Sequence, residues 1–216
     1  MHLTIKEMEH DILHANRHEA EHNREKLKAK AIKSFELMGA IGSGKTKLIE
    51  EVASRLIKNG LKIGFVAGDV AGDDDYRRLT ALGLKGYNVN TGKECHLDAR
   101  IIKDKIENLT KMDINILFIE NVGNLVCPTD FPLGAERRIL VISTTEGDDI
   151  ARKHPAIFSE ADAVVVNKID LAEHVDVNID TILKDIKNLN PDVPVFLTDL
   201  KHGKGVELLT SWIMKQ

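Results

Sequence analysis

Only two cysteines, Cys95 and Cys127, occur in the 216 residues, so no disulfide framework holds this chain together. In a reducing compartment they stand as thiols or as metal ligands. Excess positive charge is also missing: the net charge is −4 and the sequence pI about 6.1. That balance argues against a general binder of nucleic acid or of membrane surfaces. No stretch stays apolar for the roughly 18 residues that a membrane-spanning helix needs. The opening Met1-His2-Leu3-Thr4-Ile5-Lys6-Glu7 lacks the apolar core of a signal peptide, so a cytoplasmic protein is expected. Internal repeats and low-complexity linkers are absent as well. What is present, 43% hydrophobic and 30% charged residues, is a globular composition. The length suits one well-buried α/β domain with at most an appendage.

The expected organisation is an N-terminal helix over residues 1–31 and a domain over 32–216. Helical spacing starts near residue 3, with a thin apolar stripe of Ile5, Met8, Ile12 and Ala15. His10, His14, His18 and His22 recur every fourth residue and share one face, as a metal-binding stripe or as an ordinary solvated surface. Beyond it, strands and helices alternate. Strands are predicted at 34–38, 61–66, 86–90, 114–119, 139–143, 163–166 and 193–197. Helices are predicted at 47–58, 73–82, 97–109, 179–188 and 206–214. Several strands are continuous apolar runs, as in a sheet covered on both faces. The fold class is therefore α/β, a mainly parallel sheet with helices on both faces.

Gly39-Ala40-Ile41-Gly42-Ser43-Gly44-Lys45-Thr46 fits G-x-x-x-x-G-K-[ST] between the first strand and its helix, the context of a P-loop NTPase. Glycines there let Gly39, Gly42, Ser43 and Gly44 turn backbone N–H groups onto a polyphosphate at a helix N-terminus. Lys45 would reach the outer phosphates and Thr46 would ligate Mg²⁺. Asn167-Lys168-Ile169-Asp170, ending the 163–166 strand, fits N-K-x-D. The Asp170 carboxylate can accept from N1–H and the N2 amine of guanine, whereas adenine would leave it unpaired, so the nucleotide is read as GTP. Lys168 would lie along the base and bind back to the phosphate loop. Asp69 and Glu120, both at strand ends, supply carboxylates for Mg²⁺ or its waters. Asp75 would either orient the attacking water or belong to a helix cap.

Cys95-His96 is read as the start of a helix with Leu97, Ile101, Ile102, Ile106 and Leu109 on its apolar face. The helix N-terminus would then favour the Cys95 thiolate. Cys127 follows the Glu120-Asn121-Val122-Gly123 segment that would sense the γ-phosphate. Two thiolates and an imidazole suit Zn²⁺ or Ni²⁺, yet three ligands leave a tetrahedron open, to be closed by water, another residue or a second protomer. Spacing alone leaves this trio either a metal site or three ordinary side chains.

Gly39–Thr46, Asn90–Ala99 (Asn-Thr-Gly-Lys-Glu-Cys-His-Leu-Asp-Ala), Phe118–Pro128, Thr145–Asp149 and Asn167–Leu171 together resemble the hydrogenase nickel-incorporation GTPases, the HypB family. The resemblance spans about residues 34–197. It implies slow GTP hydrolysis, GTP-linked homodimerisation and nickel delivery to the large subunit of a nickel–iron hydrogenase, with a companion zinc-binding maturation protein. It also implies Cys95, His96 and Cys127 as ligands near the dimer interface. Three departures stand out. The N-terminal cysteine-rich motif of many bacterial relatives is missing, and Thr198-Asp199-Leu200-Lys201 replaces a small Ser-Ala-Lys run. Some relatives also carry further histidines on the helix after the Cys-His pair, where this chain has Arg100 and Asp104, so no second full metal site is expected. The Cys-Pro-His segment of the related urease accessory GTPase is lacking, which separates this chain from that family. Cobalamin-mutase chaperone GTPases share the two nucleotide motifs without needing the cysteines, and a zinc-bridged GTP-binding scaffold would need no catalysis.

Overall fold

The computed structural model describes the backbone of residues 5–216 and the side chains of residues 11–216. Residues 3–4 of the predicted helix, and the side chains of Ile5, Met8 and His10, lie outside the described residues. Seven strands, β1 (Lys33–Met38), β2 (Ile63–Asp69), β3 (Lys85–Asn90), β4 (Ile116–Glu120), β5 (Arg137–Ser143), β6 (Ala163–Asn167) and β7 (Val195–Leu197), form one sheet in the order β3-β2-β4-β1-β5-β6-β7. Every pairing is parallel. The strand order reverses about the central β1, and a crevice opens there beyond the carboxyl ends of β1 and β4.

Alternation along the strands sorts the core. Phe35, Leu37, Phe65, Phe118 and Val141 face α2 (Lys45–Lys58), α3 (Asp74–Ala81) and α9 (Val206–Lys215). On the opposite face Val66, Leu117 and Ile119 meet α4 (Ala99–Leu109), while Met38, Leu140 and Ile142 meet α8 (Ile179–Leu189) and two short helices. Those two, α6 (Ile150–Lys153) and α7 (Pro155–Ser159), and α5 (Cys127–Asp130), are too short to leave a periodic signature and went unpredicted.

Helix α1 (Ile5–Ala29) docks on the second face by a surface other than the expected stripe. Ile12 is 46% exposed, whereas Asn16, Ala20, Asn23 and Leu27 are buried. Asn16 Oδ1 accepts from Ala99 N (2.8 Å), and Asn23 Nδ2 donates to Ala99 O (3.0 Å) and Leu133 O (3.2 Å). The approach is so close that a Cβ on Gly134 would stand 2.2 Å from Ala20 O. Amphipathic counting misses such a face because asparagine scores as polar, although each amide here satisfies buried backbone groups. His14, His18 and His22 lie on the exposed side, with the His18 and His22 rings 4.4 Å apart.

Two expectations about α4 need correction. The helix begins at Ala99, with Asp98 as its cap accepting from the backbone N–H groups of Arg100 and Ile101. Cys95 and His96 therefore sit in the preceding turn, and the helix-terminus argument for a Cys95 thiolate does not apply. Ile101 is 40% exposed, so the buried face runs through Ala99, Ile102, Ile106 and Leu109. An aspartate makes the better cap because its carboxylate satisfies two orphan amides at once.

Candidate functional site

The loop between β1 and α2 closes on itself. Gly39 has φ +145°, and a Cβ there would stand 2.1 Å from Val141 O, so the loop leaves the sheet only through a glycine. Lys45 Nζ donates to Gly39 O and Ala40 O, each at 3.0 Å. Burial lowers the Lys45 pKa, and Glu120, Asp75, Glu146 and Asp69 pull it back. Thr46 Oγ1 donates to Glu120 Oε1 at 2.8 Å, although 74 residues separate them. Asp69 and Asp75 line the same cleft, about 350 Å³ in volume. Asp75 Oδ1 accepts from Arg78 Nη1 (3.1 Å), and the cap position of α3 belongs to Asp73, so Asp75 is not the cap. Arg78, which also reaches Glu50 and lines the cleft, went unnoticed because a surface helix offers many such arginines.

Glu120 Oε2 and Ser43 Oγ are buried without a hydrogen-bond partner. With Thr46 and Asp69 beside the cleft, these oxygens are the hard donors that Mg²⁺ and phosphate chemistry require, and they fit that ion. Burial, opposed by Lys45, pushes the Glu120 carboxyl from 4.5 up to about 7. The unfolded chain loses this proton near pH 4.5, while the folded chain keeps it to about pH 7. Stability from this group is therefore present below that window and lost as pH rises through it, by roughly 3 kcal/mol. Raising the pH from 5 to 8 should lower the melting temperature of the nucleotide-free protein by about 5–10 °C. A Glu120→Gln variant should flatten that slope in differential scanning calorimetry; an unchanged slope would assign the effect elsewhere.

At the far end of the loop, Asn167 Nδ2 donates to Ser43 O (2.9 Å), and Asn167 Oδ1 accepts from Thr198 Oγ1 and Leu200 N. Asn167, a predicted nucleotide residue, thereby ties the end of β6 to the phosphate loop. Lys168 takes a left-handed conformation (φ 59°), and its carbonyl accepts from Thr144 Oγ1 (2.7 Å). Asp170 is exposed beside Asp199 and His202, one ligating atom of each lying within 4.8 Å of the others. Asp199 and His202 went unpredicted, being more than 28 positions further along the chain.

The turn before α4 and the start of α5 converge. Cys95 Sγ lies 2.7 Å from Cys127 Sγ and 3.7 Å from His96 Nδ1, and both cysteines are free. Asn124 Nδ2 donates to Cys127 Sγ at 3.3 Å, a contact the sequence did not single out. The His96 ring packs on Phe131, 3.9 Å between centroids. Burial lowers the His96 pKa and raises that of Cys127, so the imidazole favours the neutral form that ligates metals. No histidine of the α1 stripe joins such a cluster of three among the described residues.

The profile of the CobW/HypB/UreG nucleotide-binding domain matches residues 34–197. A protein named probable hydrogenase maturation factor HypB, from Methanocaldococcus jannaschii, is 48% identical over 216 residues, spanning 100% of this chain and 97% of that protein. This chain belongs to the HypB family. The crystal structure of the HypB hydrogenase maturation factor from Archaeoglobus fulgidus superposes with a TM-score of 0.87 at 45% identity, covering 93% of this chain and 98% of that one. HypB from Helicobacter pylori, solved in complex with nickel, gives the same TM-score at 32% identity, covering 93% and 94%. The fold is thus the HypB nucleotide-binding fold. Among the described residues no helix is long and apolar enough to cross a membrane.

Proposed function

We propose that this chain is a GTP-hydrolysing nickel metallochaperone of nickel–iron hydrogenase maturation. One observation carries the reading: the cleft of the phosphate loop and the Cys95–His96–Cys127 trio share the segment that runs from Glu120 to Cys127. The Helicobacter pylori relative crystallised with nickel supports nickel as the cargo.

GTP would lie along Gly39–Thr46, its base on Asp170, and Asn167 would brace the loop under it. Thr46, Asp69 and Glu120 would hold Mg²⁺, which when bound neutralises charge on the β- and γ-phosphates. Lys45 adds a desolvated cation where charge develops, and Asp75 orients the attacking water. His96, Cys95 and Cys127 bind Ni²⁺ or Zn²⁺ as cargo, releasing thiol protons as they do so. Ile41, 84% exposed beside the cleft, and Val126, 60% exposed beside Cys127, form an apolar rim suited to a GTP-linked homodimer. A companion zinc-binding maturation protein and the hydrogenase large subunit are the further partners.

Two measurements test this reading. Nickel affinity, from competition titration, should differ several-fold between protein loaded with GDP and with a non-hydrolysable GTP analogue; equal affinities remove the link between nucleotide and cargo. Asp170→Asn should weaken GTP binding about a hundredfold and shift preference toward xanthosine triphosphate. Retained GTP affinity would move base recognition to other residues.

A further inference from the structure

Strand β1 carries one buried acidic residue that the nucleotide and metal chemistry leave unused. Glu36, 1% exposed, stands between Phe35 and Leu37, three positions before the phosphate loop, with its side chain on the other face of the sheet. Two side chains meet it. Asn121 Nδ2 donates to Glu36 Oε1 at 2.9 Å, and Arg138 Nε lies 3.6 Å from Glu36 Oε2, an ion pair too long for a hydrogen bond.

Each of these partners continues to one arm of the metal trio. Asn121 Oδ1 accepts from Leu97 N (2.9 Å), the amide directly after His96, and from Val122 N (2.9 Å). Arg138 Nη2 donates to Pro128 O, the carbonyl directly after Cys127. At the other end, Asn121 follows Glu120, the carboxylate bonded to Thr46, and its own N–H donates to Leu37 O (3.0 Å). The two metal-bearing segments thus share one buried anchor, set against the strand end that carries Glu120.

A buried carboxylate and guanidinium are expensive to desolvate, and apolar residues of similar volume hold a fold as well or better. Position, rather than stability, is what such a pair supplies here. The Asn121 amide uses both acceptor sites and one donor, so it cannot shift without moving Leu97 or stranding its buried N–H. A displacement of Glu120 is passed to its neighbour Asn121 and so to the backbone on which His96 stands.

We infer that Asn121, braced by Glu36 and Arg138, is the positioning residue through which the nucleotide bound at Thr46 and Glu120 sets the geometry of the Cys95–His96–Cys127 metal site. This rests on the metallochaperone reading above. Asn121 ligates neither nucleotide nor metal in this scheme; it transmits, and the two nucleotide states differ in where it holds Leu97.

The test is the ratio of Ni²⁺ affinities in the GDP-loaded and GTP-analogue-loaded protein, read by competition titration, with the thiolate-to-nickel charge-transfer band recorded in both states. Wild type should show a several-fold ratio and two distinct band positions. Asn121→Ala should bring the ratio to about one and merge the bands, and so should the double variant Glu36→Met, Arg138→Met. The double variant exchanges the buried Glu36–Arg138 pair for apolar volume, giving up also the half-exposed Arg138–Glu160 ion pair, and serves should Asn121→Ala fail to fold by circular dichroism. Weaker nickel binding in both states with the wild-type ratio kept, in whichever variant folds, would mean a merely structural role and overturns the inference. A ratio of one in wild type itself instead removes the link between nucleotide and cargo from the metallochaperone reading, and overturns this inference with it.

Discussion

Lys45→Ala is expected to cut multiple-turnover phosphate release by about a thousandfold, the cost of removing a preorganised charge from a phosphoryl-transfer site. The residue is 6% exposed, and its Nζ is held by Gly39 O and Ala40 O. Burial disfavours its charged form, while Glu120, Asp75, Glu146 and Asp69 favour it. A cation kept charged in a poorly hydrated cleft acts on developing negative charge with less screening than one in water. Alanine removes that charge and also loosens the loop it closes. Phosphate release at saturating GTP and Mg²⁺, with single-turnover rates beside it, checks both consequences. Turnover within tenfold of wild type would take Lys45 out of the reaction and favour a scaffold that binds GTP without hydrolysing it.

Cys127→Ala should lower Ni²⁺ affinity by about a thousandfold, since thiolate sites draw their binding free energy from few ligands and one of three is lost. Its sulfur lies 2.7 Å from Cys95 Sγ and accepts from Asn124 Nδ2. Because burial raises its pKa, metal must displace a proton there, and nickel affinity of the wild type should climb with pH more steeply than that of the variant. Competition against a chromophoric chelator at several pH values measures both. A loss smaller than tenfold would move the nickel site elsewhere. It would also favour a chaperone GTPase of the cobalamin-mutase kind, for which these cysteines are irrelevant.

Much of the fold was legible. The short apolar run Ala163–Val166, rich in β-branched valine, reads as a strand covered on both faces, and it is the buried strand β6. Gly39–Thr46 and Asn167–Asp170 carry their chemistry in a few consecutive residues, so the strand–loop–helix and strand-end placements followed from local pattern. Boundaries drifted where polar ends blur periodicity: β2 starts at Ile63 rather than Leu61, and β7 keeps only Val195–Leu197. Cys95-His96 was placed on a helix because apolar spacing begins at Leu97, while the true start is set by the Asp98 carboxylate.

The sequence by itself determined a parallel α/β domain, a phosphate loop, an N-K-x-D stretch at a strand end, and a cysteine–histidine pair with a distant cysteine. Each depends on residues close in the chain, whose local preferences act before any tertiary contact forms. Only the tertiary structure decided that Cys95 meets Cys127 across 32 positions, that Thr46 meets Glu120, and that Asp199 and His202 stand beside Asp170. It also decided that Glu36 anchors Asn121 and Arg138. Those meetings follow from the strand order β3-β2-β4-β1-β5-β6-β7, which brings loops remote in sequence to one edge. Strand order in turn is set by how helices of differing length and volume cover the two faces, a sum over the whole core that no short motif records.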